Sequence, residues 1–161
     1  MKCIFKAADN PRGFTFIEII SVLVIISILG AVIVSRGFST SVYTLKSEAD
    51  RLKAHLRYAQ VRAMNSSVAW GINIADATSY SLFNSGNVAN TVVLPGENGT
   101  TITLSGITIT TGQPIVSFDD FGRPHTDAAG TSLQAGNRTI TLTSDGQTET
   151  ITVTQNTGFI P

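Results

Sequence analysis

Side chains able to do acid–base, thiol or metal chemistry are scarce in this sequence. It contains two histidines, His55 and His125, and one cysteine, Cys3. A single cysteine excludes an intramolecular disulfide and a thiolate metal cluster. His55 falls on the basic face of a predicted helix, where we expect it to be solvated. His125 is therefore the histidine that we consider as a catalytic candidate.

Three aspartates flank His125 in sequence: Asp119, Asp120 and Asp127. A His–Asp pair could belong to a catalytic triad, and clustered carboxylate oxygens suit calcium. However, no nucleophile motif and no second histidine accompany them, and their spacing differs from that of an EF-hand. We interpret residues 119–137 as a long solvated loop and expect neither an enzyme nor a cofactor. The three aspartates remain weak candidates for a metal site.

Glu18 is the other conspicuous side chain, because it interrupts an apolar run from Phe14 to Val34. As a helix this run would span about 31 Å, which matches a hydrocarbon core of about 30 Å. A secretory signal peptide would have a shorter apolar region, of roughly 7–15 residues. Basic residues precede the run, which favours a retained, single-pass membrane helix with its leader on the cytoplasmic side. A carboxylate inside such a helix is costly and calls for a partner.

A second helical pattern follows the apolar run. Apolar residues recur at alternating steps of three and four, which predicts an amphipathic helix whose stripe is Val42, Leu45, Ala49, Leu52, Leu56, Ala59 and Ala63. Three alanines in this stripe favour close packing against a sheet. We predict one long helix from residue 14 to about 66, bent or loosened at Gly37. Residues 36–66 carry a net charge of +4.

The remainder of the chain is rich in Thr, Ser, Val and Ile in short alternating runs. Candidate strands are Val68–Ile74, Ser79–Phe83, Thr91–Leu94, Thr101–Leu104, Ile107–Thr110, Ile115–Phe118, Arg138–Thr143 and Glu149–Thr154. The last two flank "SDGQT" and predict a hairpin. We predict an α+β fold in which the amphipathic half of the helix packs on an antiparallel sheet. Residues 68–161 carry a net charge of −5, and this sign disfavours nucleic-acid binding by this part of the chain.

The N-terminal stretch "RGFTFIEIISVLVIISILGAVIV" resembles the cleavage and methylation motif of type IV prepilins and type II secretion pseudopilins. That motif has a basic leader ending in glycine, then phenylalanine, with glutamate at the fifth position after the glycine. Gly13, Phe14 and Glu18 match these positions. The resemblance implies a pilin-like fold, cleavage after Gly13 by a prepilin peptidase, and N-methylation of Phe14.

The resemblance also implies how such a chain is used. The mature helix would wait in the lipid of the bacterial inner membrane, with the C-terminal domain in the periplasm. An inner-membrane assembly platform would then move it into a periplasmic or extracellular fibre of pilin or pseudopilin subunits. The corresponding segments are a leader (1–13), an assembly helix (14–37), an amphipathic helix (38–67) and a β-rich domain (68–161). Glu18 could pair with the new amine of Phe14, within the chain or between subunits, or simply lie at headgroup depth.

Two further segments, "FDDFGRP" and "TITVTQNTGFIP", are loosely similar to the GspH/FimT group of minor pseudopilins and minor pilins. This implies a structural subunit. Two alternatives stay open: a DNA-binding minor pilin serving DNA uptake, and a membrane-anchored exported enzyme. Some members of the group bind DNA through a C-terminal Gly-Arg element, whereas here the tail reads "TGFIP". That difference disfavours DNA as a partner.

Overall fold

The structure is a computed structural model that describes residues 13–35 and 40–161. The chain divides into two compact units, Met1–Phe38 and Ser39–Pro161. The predicted bend at Gly37 and the first twelve residues of the predicted leader lie outside the described residues. Each unit is therefore considered by itself.

The first unit contains helix α1, Phe16–Ser35. Residues Phe16–Ile33 have a mean hydropathy of 2.8, and the helix is long and apolar enough to cross a membrane by length and composition. Its large apolar side chains are exposed in the structure. The hydroxyls of Ser21 and Ser27 donate to the carbonyls of Glu18 and Leu23, so these polar groups are satisfied within the helix.

The second unit begins with helix α2, Thr40–Met64. Six of the seven predicted stripe residues are buried, and the exception, Val42, lies near the start of the helix and is 39% exposed. The helix ends where the side chains of Asn65 and Ser66 donate to the last carbonyls, those of Val61 and Arg62. The predicted amphipathic helix is therefore confirmed.

Nine strands follow α2: β1 Trp70–Asp76, β2 Ser79–Asn84, β3 Asn87–Val92, β4 Thr101–Thr103, β5 Thr108–Thr111, β6 Ile115–Phe118, β7 Pro124–His125, β8 Arg138–Ser144 and β9 Gln147–Val153. They form two antiparallel sheets rather than one. The larger sheet has the order β3-β2-β1-β6-β7, with β4 also paired to β2, and the smaller has the order β5-β8-β9. The predicted α+β class and the antiparallel pairing are confirmed.

The hairpins follow from turn chemistry. Asp145 and Gly146 both have positive φ and join β8 to β9 in the predicted hairpin. Ser85 and Gly86 likewise have positive φ and join β2 to β3. This second turn was missed, so the prediction that the strand begins at Thr91 was wrong: β3 begins four residues earlier.

One core joins α2 to both sheets. Leu52, Leu56 and Ala59 are fully buried on the helix, and they belong to one hydrophobic cluster with residues such as Ile72 of β1 and Ile151 of β9. Because one helix covers two sheets, α2 fixes the relative position of the sheets and of the loops between them.

Candidate functional site

The predicted cleavage segment precedes regular structure. Residues 13–15 are neither helix nor strand, and α1 begins at Phe16 rather than at the predicted Phe14. No atom of the described residues lies within 4 Å of the position that a Gly13 Cβ would occupy, and Phe14 is 80% exposed. The Gly13–Phe14 peptide bond is therefore accessible, as a peptidase substrate must be.

Glu18 lies in the first turn of α1. Its backbone N–H donates to the Thr15 hydroxyl over 3.3 Å and to the Thr15 carbonyl over 3.0 Å. Thr15 thus caps the helix, and a carboxylate three residues later is favoured by the positive end of the helix dipole. Glu18 also lines a shallow surface cavity with Phe14, so the two side chains share one side of the segment.

His55 differs from the prediction, because it is buried rather than solvated. Its Nδ1 lies 2.9 Å from the Tyr80 hydroxyl, and its Nε2 lies 3.8 Å from Glu97 Oε1. Burial lowers the pKa of His55, and the nearby Glu97 carboxylate only partly opposes this effect. Position 55 lies three residues after Leu52 and four before Ala59, so it is on the flank of the stripe, and this spacing was a signal for its burial that the prediction did not use.

Arg51 completes this cluster at the edge of the domain. Its guanidinium donates Nε to Glu97 over 2.7 Å and Nη1 to Glu48 over 3.0 Å. The hydrogen bonds from Arg51 lower the pKa of Glu97. Glu97 lies in the loop between β3 and β4, so this ion pair attaches that loop to α2. Its geometry is that of a structural tie rather than of a reactive centre.

The loop 119–137 also differs from the prediction, since His125 is 3% exposed. The two-residue strand β7 pairs with β6, and His125 Nε2 lies 3.2 Å from Asp119 Oδ2. Asp119 also accepts hydrogen bonds from the backbone N–H groups of Phe121 and Arg123 and from the Arg123 guanidinium. Burial tends to raise the pKa of Asp119, but the bonds from Arg123 and His125 hold it below its usual value. The expectation of a solvated loop was therefore wrong for His125, whereas much of the segment, including Phe121 and Leu133, is exposed as expected.

The other two metal candidates, Asp120 and Asp127, do not complete a metal site with this pair in the described part of the chain. Asp127 accepts hydrogen bonds from the backbone of Thr131 and Ser132 and from the Thr131 hydroxyl, which organises a turn. Asp120 is exposed at the tip beyond β6. Across residues 13–35 and 40–161, no group of three or more His, Cys, Asp or Glu side chains is arranged to hold a metal ion.

The two segments of the loose resemblance meet at Gln60 of α2. Its Nε2 donates to the Gly122 carbonyl and to the Thr157 carbonyl, each over 2.9 Å. Gly158 has a φ of 63° and packs so closely that a Cβ there would overlap the Gly122 carbonyl oxygen. The "FGR" loop and the "TGF" tail therefore form one joint with α2, which periodicity could not reveal.

The tail ends against α2 as well. Arg57 donates Nε and Nη2 to the Ile160 carbonyl, at 3.1 and 2.8 Å, and Ile160 is 2% exposed. Arg62 lies over the Trp70 ring, 4.8 Å from its centroid. These two helix arginines thus have intramolecular partners, which reduces the basic surface available to a nucleic acid.

Comparisons with known proteins agree with this geometry. Residues 9–34 match the prokaryotic N-terminal methylation motif. No curated protein sequence matches the chain. Two crystal structures of the Pseudomonas aeruginosa (strain PAO1) type IV minor pilin FimU are similar, each at 18% identity. The one in space group P65 has a TM-score of 0.52 and covers 73% of this chain and 90% of its own. The one in space group P21 has a TM-score of 0.54 and covers 76% and 90%.

The chain therefore combines a prokaryotic N-terminal methylation motif with the pilin fold. This confirms the predicted resemblance and the predicted fold class.

Proposed function

We propose that the chain is a minor pilin, a structural subunit of a type IV pilus or of a type II secretion pseudopilus. The observation that carries this proposal is the order of its parts: a methylation motif on an apolar helix, followed by a domain with the pilin fold. The similar solved structures are of a type IV minor pilin, which favours the pilus over the pseudopilus.

The first step of the proposed function is processing. A prepilin peptidase would cleave after Gly13, and the new amine of Phe14 would be methylated. The exposure of Phe14 and the lack of regular structure at residues 13–15 support this step, because the peptide bond can enter a protease cleft without unfolding a helix.

The second step is storage and assembly through α1. Its apolar surface would lie in the lipid of the inner membrane, with the second unit in the periplasm. The same surface would then pack among the helices of other subunits as the assembly platform moves the chain into the fibre. The large apolar side chains along α1 are exposed in the described structure, so they need lipid or other subunits to cover them. This supports both the membrane and the fibre as environments of α1.

Glu18 would act in this step by charge pairing. Cleavage creates an ammonium at Phe14, and an ammonium and a carboxylate are tolerated together in lipid where either alone is costly. Phe14 and Glu18 line one surface cavity, which supports a pair within one chain or between neighbouring chains. Pairing between chains would set the axial register of the helices.

The processing step is tested by mass spectrometry of the chain purified from its bacterial host. We expect a mature N-terminus at methylated Phe14. Gly13→Val should leave the leader attached, whereas the matched variant Gly30→Ala, in the middle of α1, should be processed normally. If the unaltered chain still begins at Met1, this result would contradict the proposal and favour an anchored enzyme.

A further inference from the structure

A cavity of about 490 Å³ opens on the second unit. It lies where the segment between β5 and β6 faces the start of β8, and its walls include Gly112, Gln113, Gln134, Gly136, Asn137 and Arg138. This volume is within the range of small-ligand sites, roughly 300–1,000 Å³. None of the described residues that line it is acidic.

Arg138 is the charged residue of this cavity, and it is 8% exposed. Its Nη1 donates to the Ile115 carbonyl and its Nη2 donates to the Thr111 hydroxyl over 3.2 Å, while its Nε is buried and has no partner among residues 13–35 and 40–161. Within the described part of the chain no carboxylate pairs with it, in contrast to Arg51 and Arg123. Burial lowers the pKa of Arg138 to about 10.

A buried cation with neutral partners is costly. A guanidinium loses favourable hydration when it is removed from water, and carbonyl and hydroxyl acceptors compensate for only part of this loss. Arg138 does join β8 to the β5–β6 corner, which is a structural role. That role would be served by an uncharged donor, so it leaves the charge itself unexplained.

Gln134 places a second unsatisfied group at the cavity. Its Nε2 donates to the Gly136 carbonyl over 2.6 Å and to the Val153 carbonyl over 3.2 Å. Two carbonyl partners fix the orientation of the amide, which leaves its Oε1 buried with no donor from the residues that the structure describes. An amide oxygen is an acceptor, so a carboxylate could not pair with it directly, and an occupant of the cavity would reach it through a hydroxyl group or a bridging water. The unpaired cation of Arg138 is therefore the group that selects the charge of the occupant.

We propose that this cavity binds a carboxylate, which supplies the counter-charge of Arg138. The carboxylate would be carried either by an acidic side chain of a neighbouring subunit or by a small free acid. The walls leave room for it, because a Cβ at Gly112 or Gly136 would meet no atom within 4 Å. Nη1 and Nη2 each carry a second N–H beyond the one donated to Ile115 or Thr111, so the guanidinium retains donors for a carboxylate.

The free-acid arm uses the full chain in a non-ionic detergent and isothermal titration with sodium succinate against sodium chloride of equal ionic strength. We expect saturable binding that Arg138→Gln weakens at least about tenfold, as when a hydrogen-bonded charge pair is lost. The matched control is Arg123→Gln, which removes an arginine outside the cavity and should leave binding unchanged. An equal loss in both variants would overturn the proposal for a free acid.

A second variant separates binding from folding. Gly136→Met fills the open space while retaining Arg138, and Gly136 does not have a positive φ, so its backbone accepts a side chain. We expect this variant to lose succinate binding while its melting temperature without succinate changes little. Undiminished binding in a folded Gly136→Met protein would contradict the assigned location.

The subunit arm rests on the proposed function and uses a photo-crosslinking residue at Leu133, which is 53% exposed at the cavity rim. In cells that assemble the fibre, we expect a crosslink to another pilin subunit at a peptide that contains Asp or Glu. This crosslink should be lost in Arg138→Gln and kept in Arg123→Gln. Succinate binding without this crosslink would assign the site to a free acid. If both succinate binding and the crosslink are absent in a protein whose Phe14 is correctly processed, the cavity proposal is overturned and the proposed function stands.

Discussion

The Nδ1 atom of His55 and the hydroxyl of Tyr80 lie 2.9 Å apart, and both side chains are buried. This hydrogen bond connects α2 to β2 beneath the loop that carries Glu97. Burial lowers the pKa of His55 and raises the pKa of Tyr80. Both groups are therefore neutral in the folded protein at neutral pH.

The first prediction concerns acid stability. Because the pKa of His55 is lower in the folded than in the unfolded state, the unfolded chain binds the extra proton. Stability is fully present above the unfolded pKa, about 6.5, and falls as the pH drops below it. The free energy of unfolding falls by at most about 1.4 kcal/mol per pH unit, until His55 also becomes protonated in the folded state. Melting temperatures between pH 7.5 and 5 measure it.

The control for this prediction is His55→Gln, which keeps a polar partner for Tyr80 but does not titrate in this range. Its melting temperature should depend less on pH between 6.5 and 5 than that of the unaltered chain. The carboxylates with lowered pKa values, Glu97 and Asp119, lose their contribution at lower pH, below their ordinary values near 4. Identical pH profiles for the two proteins above pH 5 would contradict the assignment to His55.

The second prediction concerns the joint at Gln60. Gln60→Ala removes both hydrogen bonds and leaves the carbonyls of Gly122 and Thr157 without this donor. We expect a loss of about 1–3 kcal/mol in the free energy of unfolding. Gln147→Ala, at an exposed position in β9, serves as the control and should change stability by less than about 0.5 kcal/mol. Equal effects in denaturant titrations would show that the joint contributes no stability.

The third prediction compares two glycines. Gly158 and Gly96 both have positive φ, but a Cβ at Gly96 would meet no neighbour within 4 Å, whereas at Gly158 it would overlap Gly122 and Gln60. Gly96→Ala should therefore cost about 1 kcal/mol, which is the backbone strain alone. Gly158→Ala should cost about 1–3 kcal/mol more, because the tail must move away from the loop. Similar melting temperatures for the two variants would argue against close packing at the joint.

The elements that the sequence predicted well are those with a local signal. The stripe of α2 and the β8–β9 hairpin follow from periodicity and from a turn at Asp145-Gly146 that suits positive φ. The turn at Ser85-Gly86 carries a weaker signal, because serine seldom adopts positive φ, and β3 was consequently misplaced.

The elements that the sequence did not predict depend on contacts between distant residues. His55 is 25 residues from Tyr80, and Gln60 is 62 residues from Gly122. A histidine or glutamine beside charged residues is expected to be exposed to solvent unless a loop covers it, and the sequence does not show which loop does so. The aspartate–histidine proximity was visible in sequence, but its burial depends on the pairing of β7 with β6.

The fourth prediction concerns Glu18, where two physical roles overlap. Glu18 lies in the first turn of α1, next to the Thr15 cap. In the proposed function its carboxylate pairs with the amine of Phe14. Glu18→Ala removes the charge and the favourable group near the helix start. Glu18→Gln removes the charge alone, because glutamine also suits this position of a capping box.

We expect both variants to insert into the membrane normally, since each removes a carboxylate that is costly in lipid. If the charge sets the register between subunits, both variants should be strongly depleted from sheared fibres relative to the membrane fraction on immunoblots. Ser21→Ala, one turn along α1, serves as the control and should be incorporated normally. Normal incorporation of Glu18→Gln together with depletion of Glu18→Ala would assign the residue to helix capping and remove the charge from the assembly mechanism.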